Sequence, residues 1–208
     1  TTFYLGAFFL AQRRRWIGMG VLHALALLTK VIAVTFPAML LVHAWLYRDR
    51  TREPGPREFT AAWRRWMPAV LVTSALDVAV LVYRAVVLPE WAAATRHEPG
   101  VTPWTWFVSQ WPALVSYVRL FLWPDHLSID HDFPYAQSPF APRALGAAVL
   151  LLLWLVLALY KSNRQPLVAF ATLWFFVTLA PESTFFPLAE VINDHRPYVA
   201  TSLGLGVL

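Results

Sequence analysis

Residues 66–88 read WMPAVLVTSALDVAVLVYRAVVL, and residues 143–160 read RALGAAVLLLLWLVLALY. Both stretches are predominantly apolar, and they are 23 and 18 residues long. At a rise of 1.5 Å per residue, such helices reach about 27–35 Å, and the hydrocarbon core of a bilayer is about 30 Å thick. These two stretches therefore predict helices that cross a membrane, and they decide the fold class.

The composition of the whole chain agrees with residence in a membrane. Of 208 residues, 58% are hydrophobic and only 14% are charged, whereas about a quarter of the residues of a soluble domain are charged. So little polar surface cannot cover a soluble globule of this size. The chain has no cysteine, which excludes disulfides and metal sites with cysteine ligands.

Further apolar segments extend the prediction to a polytopic helical bundle; they lie roughly at 1–11, 16–47, 104–123, 166–180 and from 198 onward. With the two long stretches, they give an all-α integral membrane protein with about six to seven apolar segments. We predict that residues 1–208 are part of one multi-span transmembrane domain. Because both ends of the chain lie within apolar runs, we expect it to be an excerpt from a longer membrane protein.

The segment 16–47 is too long for a single span. Lys30 lies near its midpoint, and a charge in the middle of a span is costly. We therefore predict a hairpin of two short helices, 16–28 and 31–47, with Lys30 near the turn. Pro37 is expected to kink the second arm, because proline removes a helical hydrogen bond.

The distribution of Lys and Arg predicts the orientation. Cytoplasmic loops of membrane proteins carry an excess of these residues, so three basic clusters, in 13–15, 48–65 and 161–164, are assigned to the cytoplasm. The loops 89–103, 124–142 and 181–197 have few basic residues and are assigned to the outside. This assignment does not let 104–123 cross once. Its five Trp and Tyr residues are typical of the headgroup level, so we predict an interfacial or re-entrant helix.

The densest polar cluster is PLAEVINDHRPY, Pro187–Tyr198, in the last external loop. Arginine presents a planar, permanently charged fork that suits phosphate, and Tyr and His add hydrogen-bond donors. A phosphate of a lipid headgroup would lie at this depth. The alternative is a solvated loop with an Asp194–Arg196 pair. The candidate binding residues of this loop are Glu190, Asn193, Asp194, His195, Arg196 and Tyr198.

A second polar segment, Arg119–Tyr135, carries the acidic and imidazole groups that Mn or Zn prefer. Asp130 and Asp132 are its candidate metal ligands. Their spacing around His131 does not fix a coordination geometry, and a loop with turn and capping aspartates explains the same residues. We assign no cofactor, and a divalent metal is left as an open alternative.

Two further ionisable residues lie inside the stretch 66–88. Asp77 is near its middle and Arg84 near its outer end, seven residues apart, so they share one helix face. Arg84 can extend to the membrane surface, but Asp77 cannot and must be paired or neutral. We expect Asp77 to have a structural partner, and we expect His23 to be packed within its helix.

Three segments, in this order, resemble one family of membrane proteins. LALLTKVIAVTFPAMLLV at 25–42, YVRLFLWPDHLSID at 117–130 and EVINDHRPY at 190–198 resemble motifs of the transmembrane O-mannosyltransferase family that carries tetratricopeptide repeats. Arg84 stands where an outer arginine is common in that family. Val31 departs from the family, which often has Glu after the lysine, and the tail HRPYVATSLG spaces its Ser and Gly differently. The departures point to a bacterial-type branch and leave the mannose assignment open.

The resemblance implies a glycosyltransferase of the GT-C class. Such an enzyme moves a sugar from a polyprenyl-phosphate carrier to a protein or glycan acceptor on the non-cytoplasmic side, here of a bacterial inner membrane. The catalytic carboxylate is expected upstream of this chain, and the repeats downstream. Arg196 is the first candidate for binding the lipid phosphate, followed by Lys30 and Arg119. Arg84 and the remaining polar residues of 190–198 complete the candidate site.

Two other functions stay open from the residues. A transporter or flippase for a lipid-linked sugar would also need external basic residues, but it predicts paired charges in several spans and an internal repeat. Only Asp77 fits the first expectation, and no repeat is evident. A non-catalytic scaffold that anchors tetratricopeptide repeats is the second alternative. Nucleic acid is not an expected partner.

Overall fold

The computed structural model describes residues 1–47, 56–87, 101–123, 133–183, 191–192 and 197–202, with side chains from Trp63 onward in the second of these segments. All regular structure in these residues is helical, so the predicted all-α class is confirmed. The helices are α1 (Thr2–Gln12), α2 (Trp16–Thr29), a 3-10 helix (Val31–Thr35), α3 (Phe36–Leu46), α4 (Pro56–Val87), α5 (Pro103–Leu122), α6 (Pro142–Lys161), α7 (Pro166–Leu179) and α8 (Tyr198–Thr201).

Two of these helices are long and apolar enough to cross a membrane. They are residues Trp63–Val87 of α4 and the whole of α6, 25 and 20 residues long, and they coincide with the two stretches that the sequence singled out. The other apolar helices among the described residues, α1, α2, α3 with its 3-10 helix, and α7, have between 10 and 17 residues. The structure therefore shows two candidate spans, and the larger number stays a prediction.

Helices α4 and α6 present wide apolar surfaces outward. In the most apolar 18-residue stretches of α4 and α6, only 17% and 22% of the residues are buried. Helix α4 exposes Leu71, Val72, Val78, Val82 and Val86. A helix that is hydrophobic on all sides belongs either to the core of a protein or to a membrane. The described residues do not bury these two helices, so they are not core helices of this part of the chain.

Helices α1 and α2 form a closely packed antiparallel pair. A Cβ atom added at Gly6 would lie 2.9 Å from Leu22 Cδ1, and one added at Gly18 would lie 2.8 Å from Leu10 Cδ1. A leucine of the other helix thus packs against each glycine. The turn between the helices contains Arg14, whose φ of 54° is in the left-handed region. The two glycines allow the close approach that joins these short helices.

The break predicted near Lys30 is present, but the second arm of the predicted hairpin is a 3-10 helix followed by α3 instead of one helix over 31–47. Lys30 is extended, with φ −154° and ψ 137°, and it separates α2 from the 3-10 helix. The predicted kink at Pro37 is wrong: Pro37 lies in the first turn of α3, where a missing N–H leaves no helical bond unmade. Helix α2 packs chiefly against α1 and α4, whereas α3 packs against α4 and α7.

Two hydrophobic clusters hold the described helices together. The first joins α1, α2, α3, α4 and α7 around Phe36 and Trp174, and Tyr4 meets both rings edge to face at centroid distances of 5.3 and 5.2 Å. The second joins α5 to α6 and α7 around Trp106 and Phe175. Because Trp174 and Phe175 are neighbours in α7, that helix connects the two clusters.

The glycine contact in the α1–α2 pair can be tested with two matched substitutions in α2. Gly18→Leu should lower the midpoint of thermal unfolding in detergent, because the new side chain displaces Leu10, and overpacking of this kind costs about 1–3 kcal/mol. Gly20→Leu is the control, since no neighbouring atom lies within 4 Å of an added Cβ. It gains the same helix propensity without the clash. Equal midpoints for the two variants would contradict the close packing.

Candidate functional site

The fold gathers most of the described basic residues at one end of the bundle. The turns 13–15 and 162–165 join α1 to α2 and α6 to α7. Ring contacts join the helices beside these turns: Trp16 of α2 lies 6.0 Å from Trp66 of α4, and Phe170 of α7 lies 6.0 Å from Tyr47, directly after α3. We call this the arginine end; its basic residues are Arg13, Arg14, Arg15, Arg64, Arg65, Lys161 and Arg164.

The opposite end is formed where α2, α4 and α7 terminate. There Arg84 contacts the carbonyl groups of Leu27 and Leu28, and Lys30 lies 3.9 Å from Glu182. The sequence put the loop 181–197, which contains Glu182, outside and Arg84 near the outer end of its stretch, and the structure brings both to the same end of the bundle as Lys30.

A cavity of about 260 Å³ opens at this end. We call it the Lys30 pocket. It contains Lys30 and Tyr198, which come from two different predicted motifs far apart in the sequence. Most of its wall is apolar, so it combines a hydrocarbon-like surface with an ammonium group and a phenol. The lining residues are Thr1, Phe3, Tyr4, Ala26, Thr29, Lys30, Ile32, Ala33, Tyr198 and Val199.

The backbone around the Lys30 pocket is held by hydrogen bonds within its wall. The Thr29 hydroxyl donates to the carbonyl of Ala26 at 2.7 Å, and the Thr35 hydroxyl donates to that of Ile32 at 2.7 Å. The hydroxyl groups of Tyr4 and Thr35 are 3.0 Å apart. Irregular backbone at membrane depth is tolerated where it lines a cavity or is buried in protein, and the 3-10 helix beside Lys30 satisfies both conditions.

The ammonium of Lys30 has an acidic neighbour that the motifs did not include. Lys30 Nζ lies 3.9 Å from Glu182 Oε1, and the exposed fractions of the two side chains are 35% and 14%. Glu182 follows α7, in a turn where its N–H donates to the carbonyl of Leu179 at 3.1 Å. It is the first acid after the apolar segment 166–180, on the side assigned to the outside. That position is the signal by which sequence reasoning could have found it.

Asp77 and Arg84 both face α2, as their spacing predicted. Asp77 Oδ1 lies 2.9 Å from Nε2 of the fully buried His23. Two helical turns further on, Arg84 Nη2 donates to the carbonyl oxygen of Leu27 at 2.8 Å and to that of Leu28 at 3.3 Å. The expected structural partner of Asp77 is thus His23. Arg84 satisfies carbonyl groups that the end of a helix leaves without helical partners.

The other candidate residues are placed only in part. Arg119 is exposed in the last turn of α5, and it is not among the residues that line the Lys30 pocket. Val191 and Ile192 are buried against α5. The backbone carbonyl of Val199 accepts a hydrogen bond from Trp174 Nε1 at 2.7 Å. The candidates that lie outside the described residues are Glu190, Asn193, Asp194, His195, Arg196, Asp130 and Asp132.

Metal binding is not supported by the part of the chain that the structure describes. In that part, no three His, Asp or Glu side chains come together as ligands for one ion. The candidate ligands Asp130 and Asp132 lie outside it, so the metal hypothesis stays as the sequence left it.

Comparisons with known proteins give no further assignment. Neither a protein-family model nor a curated protein nor a solved structure matches this chain. The resemblance of its three motifs to the O-mannosyltransferase family therefore stays a prediction.

The contact between Arg84 and α2 predicts a structural effect that is separate from any role in binding. Arg84→Gln should lower the midpoint of thermal unfolding in detergent, because hydrogen bonds from a charged donor contribute about 1.5–3 kcal/mol. Arg65→Gln, at an exposed position of the same helix, is the matched control and should leave the midpoint unchanged. An unaltered midpoint for Arg84→Gln would show that the contact does not stabilise the end of α2.

Proposed function

We propose that this chain is part of the membrane region of a glycosyltransferase. The enzyme would transfer a sugar from a polyprenyl-phosphate carrier to a protein or glycan acceptor on the non-cytoplasmic side. The observation that carries the proposal is the Lys30 pocket, which unites an apolar wall with a cation at the end opposite the arginine end. An isoprenoid phosphate has the matching parts, a hydrocarbon chain and an anionic head.

Placement in a bilayer follows from the outward faces of α4 and α6. Their exposed apolar side chains would contact lipid, and the arginine end would face the cytoplasm by the excess of Lys and Arg expected there. The shorter apolar helices pack beside α4 or against one another, which supports a multi-span bundle. The Lys30 pocket then opens at the outer surface, where a lipid headgroup is accessible.

The position of α5 supports the interfacial or re-entrant helix expected from the sequence. Helix α5 belongs to the cluster that contains Leu179 at the end of α7 together with Val191 and Ile192. Leu179 ends α7 on the side opposite the arginine end, while Leu151 and Phe175 of the same cluster lie nearer the middle of α6 and α7. The buried face of α5 includes Ser109, whose hydroxyl accepts a hydrogen bond from the N–H of Ala136 at 2.8 Å. A helix confined to the outer half would let both of its flanking loops stay outside.

The chemistry requires stabilisation of a leaving phosphate. The bond between the anomeric carbon of the sugar and the phosphate oxygen breaks, and the electron pair stays with the polyprenyl phosphate. The acceptor hydroxyl forms the new bond and gives its proton to a base, which the resemblance puts upstream of this chain. A positioned cation lowers the energy of the charge that develops on the phosphate. Lys30 and Arg196 are proposed for this role, and Tyr198 would donate a hydrogen bond.

One observation favours a second function, the transport of a lipid-linked sugar. The pair of Asp77 and His23 is buried between α4 and α2, and ionisable groups at membrane depth often mark a transport path. Transport would move the lipid across the bilayer without breaking the bond between sugar and phosphate. An assay that follows both the lipid and the sugar therefore separates the two functions.

The proposed roles of Lys30 and Arg196 predict a loss of turnover. In the full-length protein, Lys30→Gln and Arg196→Ala should each lower transfer from a polyprenyl-phosphate sugar by roughly 10²–10³-fold, the loss that follows when one stabilising donor is removed. Arg196→Lys should recover part of the rate, since it keeps the charge but not the bidentate geometry. Lys161→Gln, at the arginine end, is the control.

The comparison uses equal amounts of folded protein extracted from membranes. Normal transfer by both Lys30→Gln and Arg196→Ala would end the proposed role of these cations. Movement of the intact lipid-linked sugar without any transfer would favour the transporter.

A further inference from the structure

The contact between Lys30 and Glu182 has a consequence for ligand binding. The carboxylate comes from the turn after α7, whereas Lys30 is one of the residues that line the pocket. At 3.9 Å between Nζ and Oε1, the two charges attract each other but are beyond the usual distance of a charge-assisted hydrogen bond, about 2.7–2.9 Å. Lys30 is thus held near an internal anion by a contact that can be exchanged.

We propose that Glu182 competes with the phosphate of a lipid for the ammonium of Lys30, and that this competition sets which ligands the pocket accepts. The identity of the lipid as a polyprenyl phosphate rests on the proposed function; the competition itself does not. A ligand must offer an anion that interacts with Lys30 more strongly than a carboxylate does. A neutral isoprenoid alcohol cannot do this.

Charge balance supports exchange over simultaneous binding. Arg84 is engaged with the carbonyl groups of Leu27 and Leu28, and the described cations Arg119 and Arg143 are not among the residues that line the pocket. The ammonium of Lys30 therefore faces Glu182 as the nearest acid that the structure describes for it. If a phosphate joined this pair while the carboxylate stayed, two anions would share one cation next to an apolar wall, where charges are poorly solvated. Withdrawal of Glu182 on its turn relieves that repulsion.

The sign of one mutational effect separates this proposal from a simple positioning role. If Glu182 competes with the ligand, Glu182→Gln should bind polyprenyl phosphate about two- to fivefold more tightly, as expected from the strength of a partly exposed ion pair. If Glu182 only positioned Lys30, the same substitution would weaken binding. Lys30→Gln should weaken binding more than tenfold, because the charge-assisted contact to phosphate is lost.

The experiment measures binding of polyprenyl phosphate, of the neutral polyprenol and of inorganic phosphate to the full-length protein in lipid nanodiscs. Glu182→Gln should leave the weak binding of polyprenol unchanged, and an unaltered midpoint of thermal unfolding shows that the variant is folded. In the background of Lys30→Gln, the gain from Glu182→Gln should fall below twofold, since coupled residues are not additive. Inorganic phosphate should bind more weakly than the lipid phosphate because it does not use the apolar wall.

Three results would overturn the proposal. These are weaker or unchanged binding of polyprenyl phosphate by Glu182→Gln, a gain that persists in full without Lys30, and inorganic phosphate binding as tightly as the lipid. The binding experiment and the test of the proposed transferase can also fail independently of each other. A Glu182-dependent gain in binding by a protein that transfers no sugar would refute the transferase and keep the competition. Active transfer by a protein whose ligand binding does not depend on Glu182 would refute the competition and keep the transferase.

Discussion

The structure depends on how polar groups are satisfied in a largely apolar chain. A charged or backbone polar group in hydrocarbon without a partner costs several kcal/mol, and α4 meets this constraint with two contacts to one helix. Asp77 pairs with His23, and Arg84 binds the carbonyl groups at the end of α2. These contacts fix α2 against α4 although α2 is too short to cross a membrane by itself.

The position of Lys30 follows from this arrangement. Because Arg84 satisfies carbonyl groups in the last turn of α2, the chain can leave the helix at Lys30 in an extended conformation and continue as a 3-10 helix. Lys30 then lines the pocket, and its ammonium lies 3.9 Å from Glu182 Oε1. The close α1–α2 pair brings Tyr4 to the same pocket. The end of α2 thus both binds Arg84 of α4 and leads directly to Lys30, the cation of the candidate site.

Much of this fold could be predicted from the sequence because hydrophobic length and charge are local signals. The two long helices, the break at Lys30 and the shared face of Asp77 and Arg84 were all readable in this way. The kink assigned to Pro37 was wrong because the 3-10 helix moves the start of α3 to Phe36. The proximity of Lys30 to Glu182, and of Lys30 to Tyr198, depends on packing between distant segments, which periodicity does not encode. The loop residues 193–196 lie outside the described residues, so the role of Arg196 stays a prediction.

The central claim is that the arginine end faces the cytoplasm and the end with the Lys30 pocket faces outward. The most direct measurement is the labelling of single cysteines by an impermeant thiol reagent in whole cells, in the full-length protein without other cysteines. Gln137→Cys and Asn163→Cys change two exposed positions, one in the predicted external loop 124–142 and one in the turn between α6 and α7. We expect labelling of Gln137→Cys in intact cells, and of Asn163→Cys only after permeabilisation. The reverse pattern, or labelling of both in intact cells, would contradict the account.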